Sequence, residues 1–212
     1  MKRIFFSLIL ASAALSASAM NVRDARDYAY FLTDKMAYEL NLTPLQYERV
    51  YEVNLDYFLA INSPDDIERY QDDRDDDLRC ILSNRQYWDY SNANYFYRPL
   101  TWGRGSWVFN IYSRYNYANN YYFGRPSCYD SYQGSNWALR ISSRNSTYSG
   151  ISFDFRLGGM RDSYSRYYNV PINAQPYQHE PLIILDGRRG GNASYEIIDG
   201  RYGGYNGGYY VS

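Results

Sequence analysis

The chain has 212 residues and a formal net charge of -1, with 28 tyrosines, two cysteines and a single histidine. That inventory argues against a His- or Cys-built metal site and against Ser-His-Asp or Cys-His catalysis. The negative mean hydropathy and the lack of a second long apolar run exclude an integral membrane protein built of helices.

Residues 1–19 read as an export signal. Lys2 and Arg3 precede the apolar stretch Ile4–Leu15, and Ala17-Ser18-Ala19 supplies a small-x-small cleavage pattern. The stretch is too short to span a bilayer of about 30 Å. The mature chain would start at Met20 and keep one lysine, Lys35. Its destination is the periplasm or the cell surface, with contact to the membrane only peripheral.

The mature chain changes chemistry near residue 98. Residues 20–95 carry 16 acids against 8 bases, residues 96–212 carry 7 against 12, and every glycine lies at or after Gly103. The glycine-free front suits helices, because glycine is about 1 kcal/mol worse than alanine in a helix. The Gly/Tyr/Asn/Ser-rich back suits hairpins and turns. The expected class is α+β: an antiparallel helical hairpin or bundle over 20–98, an aromatic β/irregular region over 99–200, and a loose tail over 201–212.

Four helices are predicted in chain order. Ala25, Ala29, Leu32, Met36 and Leu40 mark the first, about 23–40. Leu42-Thr43-Pro44-Leu45-Gln46-Tyr47 starts the second. Thr43 caps, Pro44 fits the first helical position, Gln46 closes a capping box, and Leu42 and Tyr47 are placed as a hydrophobic staple. That helix runs to about Ile61. Ser63-Pro64-Asp65-Asp66 starts the third, with Ile67, Tyr70, Leu78, Ile81 and Leu82 inward. Asp72, Asp73, Asp75, Asp76 and Asp77 form a solvated face, lacking the alternation and glycine of a calcium loop. Leu82-Ser83-Asn84-Arg85-Gln86-Tyr87 repeats the box, with Ser83 and Gln86 in the capping roles, and starts a fourth helix over about 84–96.

Two Leu-Thr/Ser-x-x-Gln boxes separated by an acidic, Arg-bearing helix resemble the LTxxQ-motif periplasmic proteins, the group of the Spy and CpxP chaperones. The resemblance covers about 24–95. It implies a helical cradle that binds other polypeptides without chemistry. Ser83 stands where the motif has threonine, and 96–212 has no counterpart. The whole chain resembles secreted proteins of gut Gram-negative bacteria with a Tyr/Arg/Gly-rich back, which implies compartment and not activity.

In the back half, Trp102-Gly103-Arg104-Gly105-Ser106-Trp107 reads as a glycine turn between strands. Ile151, Phe153, Phe155 and Leu157 alternate with polar residues as a half-buried strand. Leu182–Leu185 and Tyr195–Ile198 read as two more, each ended by Asp-Gly-Arg. Eighteen tyrosines follow residue 95. Two uses are open to them: a recognition surface, with Trp102, Trp107, Trp137 and Tyr112 as its candidates, or a thin core with hydroxyls reaching solvent. Cys80 and Cys128 could form a disulfide in an oxidising compartment, and His179 reads as a surface residue. No catalytic, cofactor or metal residues are assigned.

The expected function is non-enzymatic binding of other proteins at the cell envelope. The alternative is a surface structural module or one that binds envelope glycans. Nucleic acid is excluded by export and the acidic front.

Overall fold

A computed structural model describes residues 19–115, 120–137, 145–173, 183–186 and 195–198. The architecture is α+β, mostly helical with short antiparallel strand pairs. The helices are α1 (Val22–Glu39), α2 (Pro44–Ala60), α3 (Pro64–Ile81), α4 (Asn84–Asn92), α5 (Asn94–Tyr97) and α6 (Met160–Tyr168). Strands β1 (Leu100–Gly103) and β2 (Ser106–Phe109) pair with each other, as do β3 (Ile183–Asp186) and β4 (Tyr195–Ile198). No helix among the described residues is long and apolar enough to cross a membrane.

Both capping boxes form. Gln46 N donates to Thr43 Oγ1 at 3.4 Å, and Thr43 N donates back to Gln46 Oε1 at 2.9 Å. Ser83 and Gln86 repeat the exchange at 3.3 and 3.0 Å. Asp66 does the same work for α3, accepting from the Ser63 and Asn62 amides, which holds its carboxyl below the usual carboxylate range. The two boxes also meet. Gln46 Nε2 donates to Gln86 Oε1 at 2.8 Å and Gln86 Nε2 to Gln46 Oε1 at 3.1 Å. The same amides reach Ile81 O and Leu40 O. The repeat is therefore one buried joint that ties four helix ends together: the end of α1, the start of α2, the end of α3 and the start of α4.

Arg74 forms a second joint. It is fully buried in α3, and its guanidinium donates to Asn54 Oδ1 of α2, Tyr90 Oη of α4 and Phe96 O of α5, at 2.9 to 3.1 Å. Tyr57 and Tyr90 rings lie within 5.5 Å of it. No carboxylate pairs with it among the described residues. Buried charge is costly unless hydrogen-bonded, and here neutral acceptors meet it.

The central helices are enclosed rather than amphipathic. Ala29–Tyr38 of α1 and Val50–Phe58 of α2 are each buried without interruption. A surface helix buries one stripe; these bury every side, because the aromatic half closes over the faces that α1 and α2 do not bury on each other. Tyr122, Phe123, Tyr129, Tyr148, Phe153, Met160 and Tyr164 belong to the same apolar cluster as the helices. The change near residue 98 is one of composition, and the packing crosses it.

Several expectations are corrected. The fourth helix breaks at Ala93 into α4 and α5. Ile151–Leu157 is not a strand: Asp154 accepts from Arg156 N at 3.0 Å and starts a 3₁₀ turn at Phe155–Leu157, and Ile151 and Phe155 are exposed. A side-chain bond of this kind competes with a ladder. Asp77 is buried rather than solvated, and Asp75 accepts from Tyr87 Oη at 2.8 Å. Helix α6 was not expected. It docks through Met160 N on Leu42 O, and Asn41 Oδ1 accepts from Asp162 N. The hairpin is as read, with Arg104 and Gly105 both at positive φ in a two-residue turn and Trp102 opposite Trp107. The β3 and β4 segments match their expected places to within a residue. Residues 1–18 of the segment read as an export signal, His179, Leu182, the Asp-Gly-Arg steps from Gly187 and from Asp199 onward, and the tail 201–212 lie outside the described residues.

The joint between boxes is testable by calorimetry. Thr43→Ala and Ser83→Ala should each cost about 0.5–2 kcal/mol. Gln46→Ala and Gln86→Ala should couple, with an interaction energy of about 0.5–3 kcal/mol in a double-mutant cycle. Strictly additive losses would contradict the reciprocal amide pair.

Candidate functional site

Among the described residues, seven of the sixteen acids of 20–95 accept from donors that lie after residue 95. Glu48, Glu52 and Asp56 recur at four-residue spacing on one face of α2, an arrangement that repels itself in an isolated helix. Each is answered from the aromatic region. Glu48 accepts from Ser127 N at 2.8 Å and Cys128 N at 3.2 Å. Glu52 accepts from Tyr148 Oη at 3.1 Å, and Asp56 from Tyr132 Oη at 2.6 Å. Beside them, Asp77 of α3 accepts from Trp137 Nε1 at 2.8 Å. On α1, Asp27 accepts from Tyr129 Oη, and Glu39 accepts from the hydroxyls of Tyr95 and Tyr115. At Asp27, Glu39, Glu52 and Asp56, tyrosine thus brings an apolar ring to the core and a donor to the carboxylate.

Asp34 and Lys35 make the innermost contact. Both side chains are buried, with Lys35 Nζ 2.7 Å from Asp34 Oδ2. Asp34 also accepts from the Tyr122 and Phe123 amides at 3.1 and 2.8 Å, and Lys35 donates to Asn120 O. Four rings surround the ammonium: Phe31 at 4.6 Å, Tyr122 at 5.0 Å, Tyr121 at 5.3 Å and Tyr115 at 5.4 Å. Burial pushes the Asp34 carboxyl up and the Lys35 ammonium down, and their mutual attraction opposes both shifts.

Outside this cage lies a cleft of about 430 Å³ between the first turns of α1 and Tyr112, Tyr121 and Arg125. Tyr28, Tyr30, Phe31, Tyr112 and Tyr121 line it, with Asp24, Asp27 and Arg125. The rings hold one another in place. Tyr28 stacks on Phe109 at 3.6 Å, Tyr30 stacks on Tyr121 at 4.2 Å, and Phe31 meets Tyr121 edge-on at 5.6 Å. Arg125 lies over Tyr129, 4.4 Å from the ring centre. Asp24 and Asp27 are exposed. The cleft is preformed, aromatic and charged at its rim.

The residues singled out from sequence are scattered. Tyr112 lies in this cleft, whereas Trp102 and Trp107 pair edge-to-face on β1–β2 at 4.6 Å. Trp137 is engaged against Tyr70 and Asp77. The four form no single surface. The capping residues Thr43, Gln46, Ser83 and Gln86 do come together, as structure. The possible Cys80–Cys128 disulfide is not formed: Cys80 is exposed on α3, and Cys128 is half-buried over Glu48, where burial and that carboxylate push its thiol up. Sequence reasoning missed Asp24, Asp27, Tyr28, Tyr121 and Arg125. A signal existed for the first three with Phe31, since positions 24, 27, 28 and 31 share one helical face. Among the described residues, no group of three or more His, Cys, Asp and Glu side chains is placed to hold a metal ion. No protein-family model, curated protein or solved structure matches the chain.

Asp56 carries a pH prediction. Burial, reinforced by Asp77 and Glu52, raises its carboxyl from the usual range to about 7, against the opposing bond from Tyr132. The folded state therefore favours the protonated form. Its contribution is complete below about pH 4 and is lost as pH rises through 7, by at most about 4 kcal/mol. Burial raises Glu52 in the same sense. Melting followed from pH 4 to 8 should show a decline in the parent chain that is shallower in Asp56→Asn. Identical slopes would contradict this assignment.

Proposed function

We propose that the protein is a non-enzymatic exported factor that binds other polypeptides at the cell envelope, with the aromatic cleft beside α1 as its recognition site. The observation that carries this reading is the cleft itself: rigid tyrosine and phenylalanine walls with carboxylates at the rim. Tyrosine gives large amphipathic contact area at low entropy cost, which suits varied peptide segments.

Two further features support the reading. The capping boxes are joined through Gln46 and Gln86, which agrees with the resemblance to LTxxQ-motif proteins. Residues 1–19 have the three parts of an export signal in order. The cradle implied by that resemblance would use open helical faces. Here the long runs of α1 and α2 are covered, so binding is assigned to the cleft and not to the helices. A second reading, an envelope-glycan or surface structural module, keeps one specific support. Trp102 and Trp107 form a half-buried indole pair on the β1–β2 hairpin, a ledge suited to a sugar face.

The test uses the mature chain, 20–212, with a chemically denatured model protein diluted into buffer without nucleotide. Light scattering should fall in its presence. The effect should weaken with moderate salt, since exposed charges are screened beyond about 8–10 Å. Unchanged aggregation, together with retention on envelope polysaccharide that Trp102→Ala or Trp107→Ala abolishes, would replace this reading with the second.

A further inference from the structure

We propose that the cleft beside α1 captures a cationic side chain, arginine or lysine, of the polypeptide partner. This rests on the polypeptide reading above and adds the chemical class of the group bound.

The fold already solves the same recognition problem within itself. Lys35 is held by one carboxylate and four rings, and two of those rings, Phe31 and Tyr121, also line the cleft. Arg79 lies 4.1 Å from the Tyr87 ring centre beside Asp75, and Arg125 lies over Tyr129, whose hydroxyl bonds Asp27. A cation near both a ring face and a carboxylate is thus a recurring arrangement in this molecule, favourable through the ring quadrupole and through charge. The cleft brings the same two components together. Half-buried Tyr28, Tyr112 and Tyr121 supply rings over buried Phe31, and exposed Asp24 and Asp27 supply charge.

The charge balance of the lining agrees. Among the described residues of the lining, two carboxylates face one guanidinium, a balance of -1. Asp24 sits in the first turn of α1 and bonds Asn21, and Asp27 lends Oδ1 to Tyr129. Neither is paired with a cation in a salt bridge among the described residues. The volume of about 430 Å³ accommodates one long side chain with adjoining backbone. Arg125 is the one cation among the described residues of the lining, and it opposes an incoming cation.

The probes are acetyl-Gly-Arg-Gly-amide and its citrulline counterpart, which has the same shape without the charge, titrated calorimetrically into the intact mature chain. The arginine peptide should bind at least about tenfold more tightly than the citrulline peptide. Asp24→Asn and Asp27→Asn should each weaken it severalfold, and Arg125→Gln should strengthen it. The last variant guards against misfolding, because a disrupted cleft cannot gain affinity. Equal binding of both peptides, or no response to Arg125→Gln, would overturn the proposal. If neither peptide binds while denatured clients are still held, this inference fails and the polypeptide reading stands. If the arginine peptide binds as expected and clients aggregate unhindered, the cation site stands and the broader reading fails.

Discussion

The structure turns on the buried pair Asp34–Lys35. A carboxylate and an ammonium withdrawn from water are expensive unless each is fully satisfied. Here satisfaction comes from far along the chain: the amides of Tyr122 and Phe123 for Asp34, and Asn120 O with four rings for Lys35. Folding α1 without Tyr115 and residues 120–123 would leave both charges without the amides and carbonyl that answer them, and Lys35 with Phe31 alone of its four rings. The pair therefore ties the two compositional halves into one packed body, and it fixes Phe31 and Tyr121, which wall the cleft outside.

The same logic extends outward with lower stakes. Phenol hydroxyls answer Asp27, Glu39, Glu52 and Asp56, an indole N–H answers Asp77, and backbone amides answer Glu48. This bears on two oddities of composition. Part of the acidity of the front half supplies acceptors, and Tyr115, Tyr129, Tyr132 and Tyr148 of the back half each pack a ring while the hydroxyl donates. Such networks specify one arrangement strongly when complete, since an unanswered buried carboxylate is costly. Asp56 is the least settled member, with Oδ1 buried and unanswered, and its raised carboxyl follows from that.

Local structure was legible where the deciding interactions are local. The caps at Thr43 and Ser83, the proline starts of α2 and α3, and the Arg104-Gly105 turn depend on residues within four positions, and all appear. What depended on distant partners was not. The boxes could be read singly, yet nothing in their spacing placed Gln46 against Gln86. Alternation over Ile151–Leu157 suggested a strand, but a strand needs a ladder, and Asp154 offered the backbone a nearer partner. Helix α6 has its signal in Met160, Tyr164 and Tyr168, one helical turn apart, diluted by a flanking run of serines and arginines. Asp77 looked like its acidic neighbours because a partner as distant as Trp137, sixty residues on, leaves no local mark. The cleft was invisible for the same reason: its walls come from α1 and from Tyr112, Tyr121 and Arg125.

Amine labelling of Lys35 tests the central claim most directly. The mature chain has only this lysine and its N-terminus as reactive amines. In native buffer the N-terminus should modify readily, whereas Lys35 should stay protected. Its modification across a denaturant series should follow the global unfolding transition measured by circular dichroism. Modification of Lys35 under native conditions at the rate of an exposed lysine would contradict the account.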